Sequence, residues 1–249
     1  MTIDKQIYGV GGRECTFFSA GMAQTVLVQV VSPRQCDELD RQVELIASAG
    51  IPFLLAAVPI VDWELELMPW PELVVSRRPE VGTGAQATLD YIVDSLLPYI
   101  CGGGCPATKA LTDNAPVVLG GYSLGGLFAL WAARQTDRFV AVAAASPSLW
   151  AGDWPAFADQ HPVRSQRVYL SLGDCEEHTK NKAMARSGDR IRGEYARLQG
   201  QIGASNCTLV WEQGGHFNDP AGRLARAFGW CLKGLTGGPV DRHPASQYE

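Results

Sequence analysis

The sequence predicts an α/β fold, with a mostly parallel central sheet, helices on both faces and a short antiparallel edge at the amino end. Three observations predict it. Residues 25–31 and 52–60 are continuous apolar runs separated by an amphipathic helical stretch, the strand–helix–strand unit of a parallel sheet. Residues 116–131 read as strand, sharp turn and helix around one serine. From there apolar runs alternate with helical stretches as far as residue 235 with no Pro/Ser-rich linker, so residues 1–235 are expected to form one domain and residues 236–249 a frayed polar tail.

Taken in order, residues 1–24 are rich in glycine and turn formers, with short candidate strands at 6–10 and 15–19 that supply the antiparallel edge. Residues 25–31 are β-branched and buried in character; Ser32-Pro33 ends that strand. A helix over 36–49 carries Leu39, Val43, Ile46 and Ala47 on one face and closes at Gly50. Residues 52–60 form the next buried strand. Residues 61–71 are too irregular for a strand, yet they follow the carboxyl end of one, where parallel sheets place ligands. Trp63 and Trp70 are therefore candidates for lining a pocket, with core packing of the loop as the competing explanation. Residues 82–100 predict a helix buried through Leu89, Ile92, Val93, Leu96 and Leu97. Cys101-Gly102-Gly103-Gly104-Cys105 follows; its spacing fits neither a zinc finger nor a redox pair, so it reads as a glycine loop with two incidental thiols.

Gly121-Tyr122-Ser123-Leu124-Gly125 matches G-x-S-x-G, a turn so tight that its serine takes a strained backbone and its neighbours must be small. Four strand-like residues precede it, an apolar helix over 124–135 follows, and Gly120 and Gly126 flank it. The uncharged run 115–133 is nearly long enough to cross a bilayer. Four glycines and a serine in its middle argue instead for a strand buried on both faces, then a helix. The remaining strands are expected at 139–145, 167–172 and 207–212, with helices over 182–198 and 221–235, the last buried through Leu224, Ala227, Phe228 and Cys231.

A net charge of −5 gives no electrostatic footprint for nucleic acid or an anionic membrane, which leaves a small molecule as the expected partner. Seven scattered cysteines and an amino terminus without an apolar signal segment suit the cytoplasm.

A serine hydroxyl becomes a useful nucleophile only beside a general base that a third group orients. Of the four histidines, His161 follows an Asp-Gln turn, His178 sits among acids and His243 lies in the tail. His216 alone stands just past the terminal strand, after Gly214-Gly215, and is the expected base. The acid is expected between Ser123 and His216 at a strand end, which points to Gly173-Asp174-Cys175-Glu176-Glu177. A position three residues past the strand-ending glycine favours Glu176, then Asp174, then Glu177. The tetrahedral intermediate requires two N–H donors, expected from Leu124 and from the loop near Val31 or Ser32.

Gly121-Tyr122-Ser123-Leu124-Gly125-Gly126-Leu127, Ala145-Ser146-Pro147-Ser148-Leu149-Trp150, Ser171-Leu172-Gly173-Asp174-Cys175-Glu176 and Gly215-His216-Phe217 together resemble the putative-esterase branch of the α/β-hydrolases. Enterochelin-type siderophore esterases and esterase D-like enzymes belong to that branch. The resemblance covers about residues 116–230 and implies the α/β-hydrolase fold and a cofactor-free, metal-free serine carboxylesterase working through an acyl-serine. By its G-x-x-E pattern it implies Glu176 as the acid. The first half departs from the branch: no His-Gly follows the strand at 25–31, and the 62–70 loop differs from siderophore esterases. The chain is similar to small cytoplasmic members, and a small-molecule ester is the expected substrate. Tyr122, Trp63, Trp70 and Trp150 are expected to line its pocket. A thioesterase or acyltransferase on the same residues, and a non-catalytic binding protein of this fold, are the rival expectations.

Overall fold

The computed structural model describes residues 1–71, 81–104, 108 and 111–236. The expected tail, with His243, and Cys105 of the glycine loop lie outside the described residues, apart from Thr236. In chain order the strands are β1 (Ile3–Val10), β2 (Arg13–Ala20), β3 (Val26–Val31), β4 (Phe53–Pro59), β5 (Val117–Tyr122), β6 (Ala141–Ala145), β7 (Arg167–Gly173) and β8 (Cys207–Glu212). They form one sheet in the order β1-β2-β4-β3-β5-β6-β7-β8. β1 pairs antiparallel with β2 and β2 antiparallel with β4, while β4, β3, β5, β6, β7 and β8 run parallel. The β1–β2 hairpin closes on Gly11 and Gly12, whose φ values of +53° and +87° give the turn that matches strand twist.

The helices are α1 (Pro33–Cys36), α2 (Leu39–Ala47), α3 (Trp63–Leu67), α4 (Ala85–Tyr91), α5 (Leu97–Cys101), α6 (Leu124–Gln135), α7 (Trp154–Gln160), α8 (Ser187–Ile202) and α9 (Pro220–Leu235). Apart from element ends that move by a few residues, three places differ from the sequence reading. The single helix expected over 36–49 is two: Ser32 caps a separate first turn with Pro33 at its start, and the chain restarts at Leu39. Residues 61–71 contain α3, started by Asp62, whose carboxylate accepts the Leu65 N–H at 3.0 Å. α7 has no counterpart in the sequence reading; it opens with Pro155 in its first turn, where the missing N–H costs nothing. Between α4 and α5 the helix continues through a π turn, Ile92–Leu96, in which the Leu97 N–H reaches back five residues to the Ile92 carbonyl. The wider turn comes immediately before Pro98, which has no N–H of its own to give.

Parallel strands covered on both faces should be apolar throughout, and all six residues of β3 and of β5 are buried. Alternation then sorts side chains. Val26, Val28, Val30, Leu119, Val142 and Leu170 pack with α6 and the α4–α5 helix on one face. Leu27, Val31, Leu55, Val118 and Ala143 pack with α2 and α9 on the other. The closeness of that second layer is set by Gly120, where an added Cβ would meet the Phe228 ring at 2.3 Å. Among the described residues no helix is long and apolar enough to cross a membrane; the 115–133 run is β5 and α6.

Because β3 lies between β4 and β5, the chain leaves β3 toward one edge and returns to lay β5 on its other side. Such a reversal leaves a crevice at the carboxyl ends of the strands. Ser32 follows β3 there and Ser123 follows β5 there.

Candidate active site

Ser123 joins β5 to α6 at φ +58° and ψ −120°, a strained conformation for a residue with a side chain. The turn closes only because Gly121 is bare: a Cβ there would lie 2.3 Å from the Gly125 carbonyl carbon. The Ser123 N–H donates to the Ala145 carbonyl at 3.1 Å, and its own carbonyl accepts N–H groups of Leu127 at 3.0 Å and Ser148 at 3.1 Å. These bonds leave the hydroxyl free to turn outward.

The Ser123 Oγ lies 3.0 Å from His216 Nε2, and His216 Nδ1 lies 2.7 Å from Glu176 Oε2. An ionised carboxylate only accepts, so Nδ1 carries the ring proton and Nε2 is left to accept from the serine. Glu176 Oε1 accepts three further bonds, from the Gly173 N–H at 2.7 Å, the Ser146 hydroxyl at 2.8 Å and the Arg223 guanidinium at 2.8 Å. Burial by itself raises the Glu176 carboxyl; the His216 ring, the Gly173 N–H and the Ser146 hydroxyl more than offset it and hold the group below its ordinary value.

The three carboxylates named from the sequence part company. Glu176 reaches His216. Asp174 is exposed and accepts the Gly214 N–H at 2.8 Å, bracing the loop that carries His216; that bond holds its carboxyl low. Glu177 pairs with Arg192 at 2.7 Å, outside the site.

Two cavities meet at Ser123. One, of about 500 Å³, is lined by Trp63, Leu124, Ser148 and Trp150 together with Val61, Asp62 and Glu64. The other, of about 400 Å³, is lined by Ser32, Gln35, Trp63, Tyr122 and His216, with Phe217 at its rim, 85% exposed. Trp63 therefore stands between them, its ring over Gly125. Trp150 lines the first cavity.

Two expectations, those for Trp70 and Val31, need correction. Trp70 lines neither cavity; it packs against Trp154 and Phe157, with ring centroids 6.3 and 5.5 Å away, because α7 supplies an aromatic wall the sequence reading lacked. Tyr122 touches the second cavity, but its hydroxyl is committed inward, donating to the His216 carbonyl at 2.7 Å and accepting from Arg223 at 3.2 Å; burial pushes its phenol up to about 12. Val31 is inside the β3–β4 ladder, where its carbonyl accepts the Ile60 N–H at 2.9 Å. A strand residue's N–H and C=O point the same way, so the Val31 N–H faces β4, away from Ser123. The next N–H, of Ser32, is taken by Gln35 Oε1 at 2.9 Å. The Leu124 N–H, at the head of α6 beside Ser123, is one of the helix's unbonded N-terminal donors.

The sequence reading missed Ser146, Ser148 and Arg223. Ser146 sits at φ +44° and bonds Glu176; the Ser148 hydroxyl lies 3.1 Å from the Ser123 hydroxyl, to which it donates when the serine proton is given to His216. Arg223 did leave a signal: it shares an i, i+4, i+8 stripe with Ala227 and Cys231, so a charge sits on the apolar face of α9 and must find buried partners. Among the described residues no cluster of side chains could hold a metal ion.

A family model described as "Putative esterase" matches residues 61–206. Solved structures of the same fold include the siderophore hydrolase EstA of Aspergillus nidulans, with 15% identity, a TM-score of 0.67, and coverage of 94% of this chain and 95% of that one. The enterobactin esterase FES of Shigella flexneri matches at 19% identity and a TM-score of 0.65, over 94% of this chain and 60% of that one. An IroE-like serine hydrolase of Shewanella oneidensis matches at 17% identity and a TM-score of 0.69, over 92% and 80%. No curated protein matches this chain.

Proposed function

Since the chain belongs to the Esterase family and has the α/β-hydrolase fold, we propose that it is a serine hydrolase cleaving a carboxylic ester of a small molecule through an acyl-serine, with Ser123 as nucleophile, His216 as base and Glu176 as acid. The observation that carries this reading is the line from Glu176 through His216 to Ser123, with contacts of 2.7 and 3.0 Å, ending on a hydroxyl that opens into two cavities.

In the proposed reaction the Ser123 oxygen bonds to the ester carbonyl carbon while its proton passes to His216 Nε2. The imidazolium is stabilised by Glu176. The negative oxygen of the tetrahedral intermediate takes the Leu124 N–H, with the Ser148 hydroxyl beside it in the same cavity. As the intermediate collapses, the ester C–O bond breaks and His216 returns its proton to the departing alcohol. Water then repeats the sequence on the acyl-serine and regenerates the hydroxyl. Trp63 and Trp150 offer aromatic walls to one side of the ester.

The test is turnover of a series of p-nitrophenyl esters of increasing chain length by the parent and by Ser123→Ala. The proposal expects the variant to lose at least about 10⁴-fold in kcat with its fold intact. Parent-like turnover by S123A discards it, and the chain-length optimum sizes the acyl cavity.

A further inference from the structure

The guanidinium of Arg223 lies beneath the site, 1% exposed, and bonds to groups at or just beyond the carboxyl ends of four successive strands. Its Nη1 donates to Glu176 Oε1 at 2.8 Å, to the Ser146 hydroxyl at 2.9 Å and to the Tyr122 hydroxyl at 3.2 Å. Its Nη2 donates to the carbonyls of Gly215 at 3.0 Å and Gln213 at 3.2 Å. Tyr122 ends β5 just before Ser123, Ser146 follows β6, Glu176 follows β7, and Gln213 and Gly215 lead from β8 to His216. One planar fork thus joins the segments that carry the nucleophile, the acid and the base.

A buried arginine beside a glutamate can be no more than an ion pair inside the core, and Arg134 with Glu194 on α8 is such a pair in this molecule. The arrangement at Arg223 is more specific. It divides the two oxygens of Glu176: Oε1 receives Arg223, Ser146 and the Gly173 N–H, and Oε2 is left to His216. A carboxylate free to rotate would share its oxygens between the imidazole and its other donors; this one cannot. The same guanidinium grips the carbonyls of Gln213 and Gly215, on either side of Gly214, and so fixes where the imidazole of the next residue stands.

We infer that Arg223 is a positioning residue for the acid–base pair: by holding one oxygen of Glu176 it presents the other to His216, and by holding the two carbonyls it sets the height of the imidazole over Ser123. This rests on Ser123, His216 and Glu176 being the reacting groups. The titratable groups facing the guanidinium are Glu176, Tyr122, Asp174 and Tyr169, with His216 across Glu176. Removing the cation leaves the carboxylates among them uncompensated, so the Glu176–His216 pair takes up a proton more readily.

The experiment measures kcat and KM for p-nitrophenyl acetate across pH, per site titrated with a fluorophosphonate, in the parent, Arg223→Lys and Arg223→Gln. R223K keeps the charge but not the fork; kcat is expected to fall about 10-fold with KM within about twofold and the acidic limb unmoved. R223Q is expected to fall about 10-fold further, with the acidic limb of kcat/KM moved to higher pH. If R223Q yields no folded protein, R223K decides on the split between kcat and KM. Parent-like kcat in folded R223K, or a parent-like profile in folded R223Q, overturns the inference. Ser123→Ala in the same series separates the two readings: an active S123A removes the reaction itself, whereas a dead S123A beside parent-like Arg223 variants removes only the role of Arg223.

Discussion

The nucleophile and its acid–base partners are built in different ways. Ser123 is placed by a stretch of backbone five residues long, in which Gly121 and Gly125 touch and the strain is local. Glu176 and His216 come from separate loops 40 residues apart and are placed by side chains, chiefly Ser146, Tyr122 and Arg223. The first arrangement depends on what is absent at two glycines. The second depends on a set of polar groups that all have to be satisfied at once.

The difference can be broken from either side, and the largest effect is expected on the side-chain half. Glu176→Gln keeps the shape of the acid but removes the charge that fixes the ring proton on His216 Nδ1; kcat should fall on the order of 10³-fold or more with KM little changed, as read from steady-state kinetics. On the backbone half, Gly121→Ala should act on folding as well as rate, because its methyl meets the Gly125 backbone at 2.3 Å and not a side chain that could turn aside. Overpacking of this kind costs about 1–3 kcal/mol, which a thermal melt should show as a Tm lowered by roughly 5 °C.

The same contrast has a pH signature. The folded Glu176 carboxyl is held below its ordinary value of 4.5, so its contribution to stability is present above that value and is lost as pH falls through the lower folded one. Urea unfolding at pH 7 and pH 3 should therefore show a larger acid loss in the parent than in E176Q; equal losses would place the stabilisation elsewhere. The smallest effect is expected at Asp174, which braces the His216 loop through one backbone bond at 2.8 Å and does not touch the ring. Asp174→Asn should retain activity within about threefold.

What the sequence made legible follows the same division. The elbow could be read because its requirements lie within five consecutive residues, and the strands could be read because parallel strands buried on both faces are apolar throughout. The acid could be narrowed to Asp174, Glu176 and Glu177 by position alone, but which of them meets His216 depends on the loop after β7. Contacts made across the fold left weaker traces. Trp70 reads equally as a pocket residue and as loop packing until α7 is seen to supply Trp154 and Phe157 as its neighbours. Val31 reads as a donor near Ser123 until the ladder turns its N–H toward β4. Arg223 reads as one more charge on a helix unless its place in the stripe with Ala227 and Cys231 is noticed.

The proposed chemistry turns on one atom, the Ser123 Oγ. Its most direct measurement is peptide mapping by mass spectrometry after brief exposure to a fluorophosphonate. A single adduct is expected on the peptide containing Ser123, absent in S123A and formed far more slowly in His216→Ala. An adduct that persists in S123A, or no adduct on a folded parent protein, would contradict it.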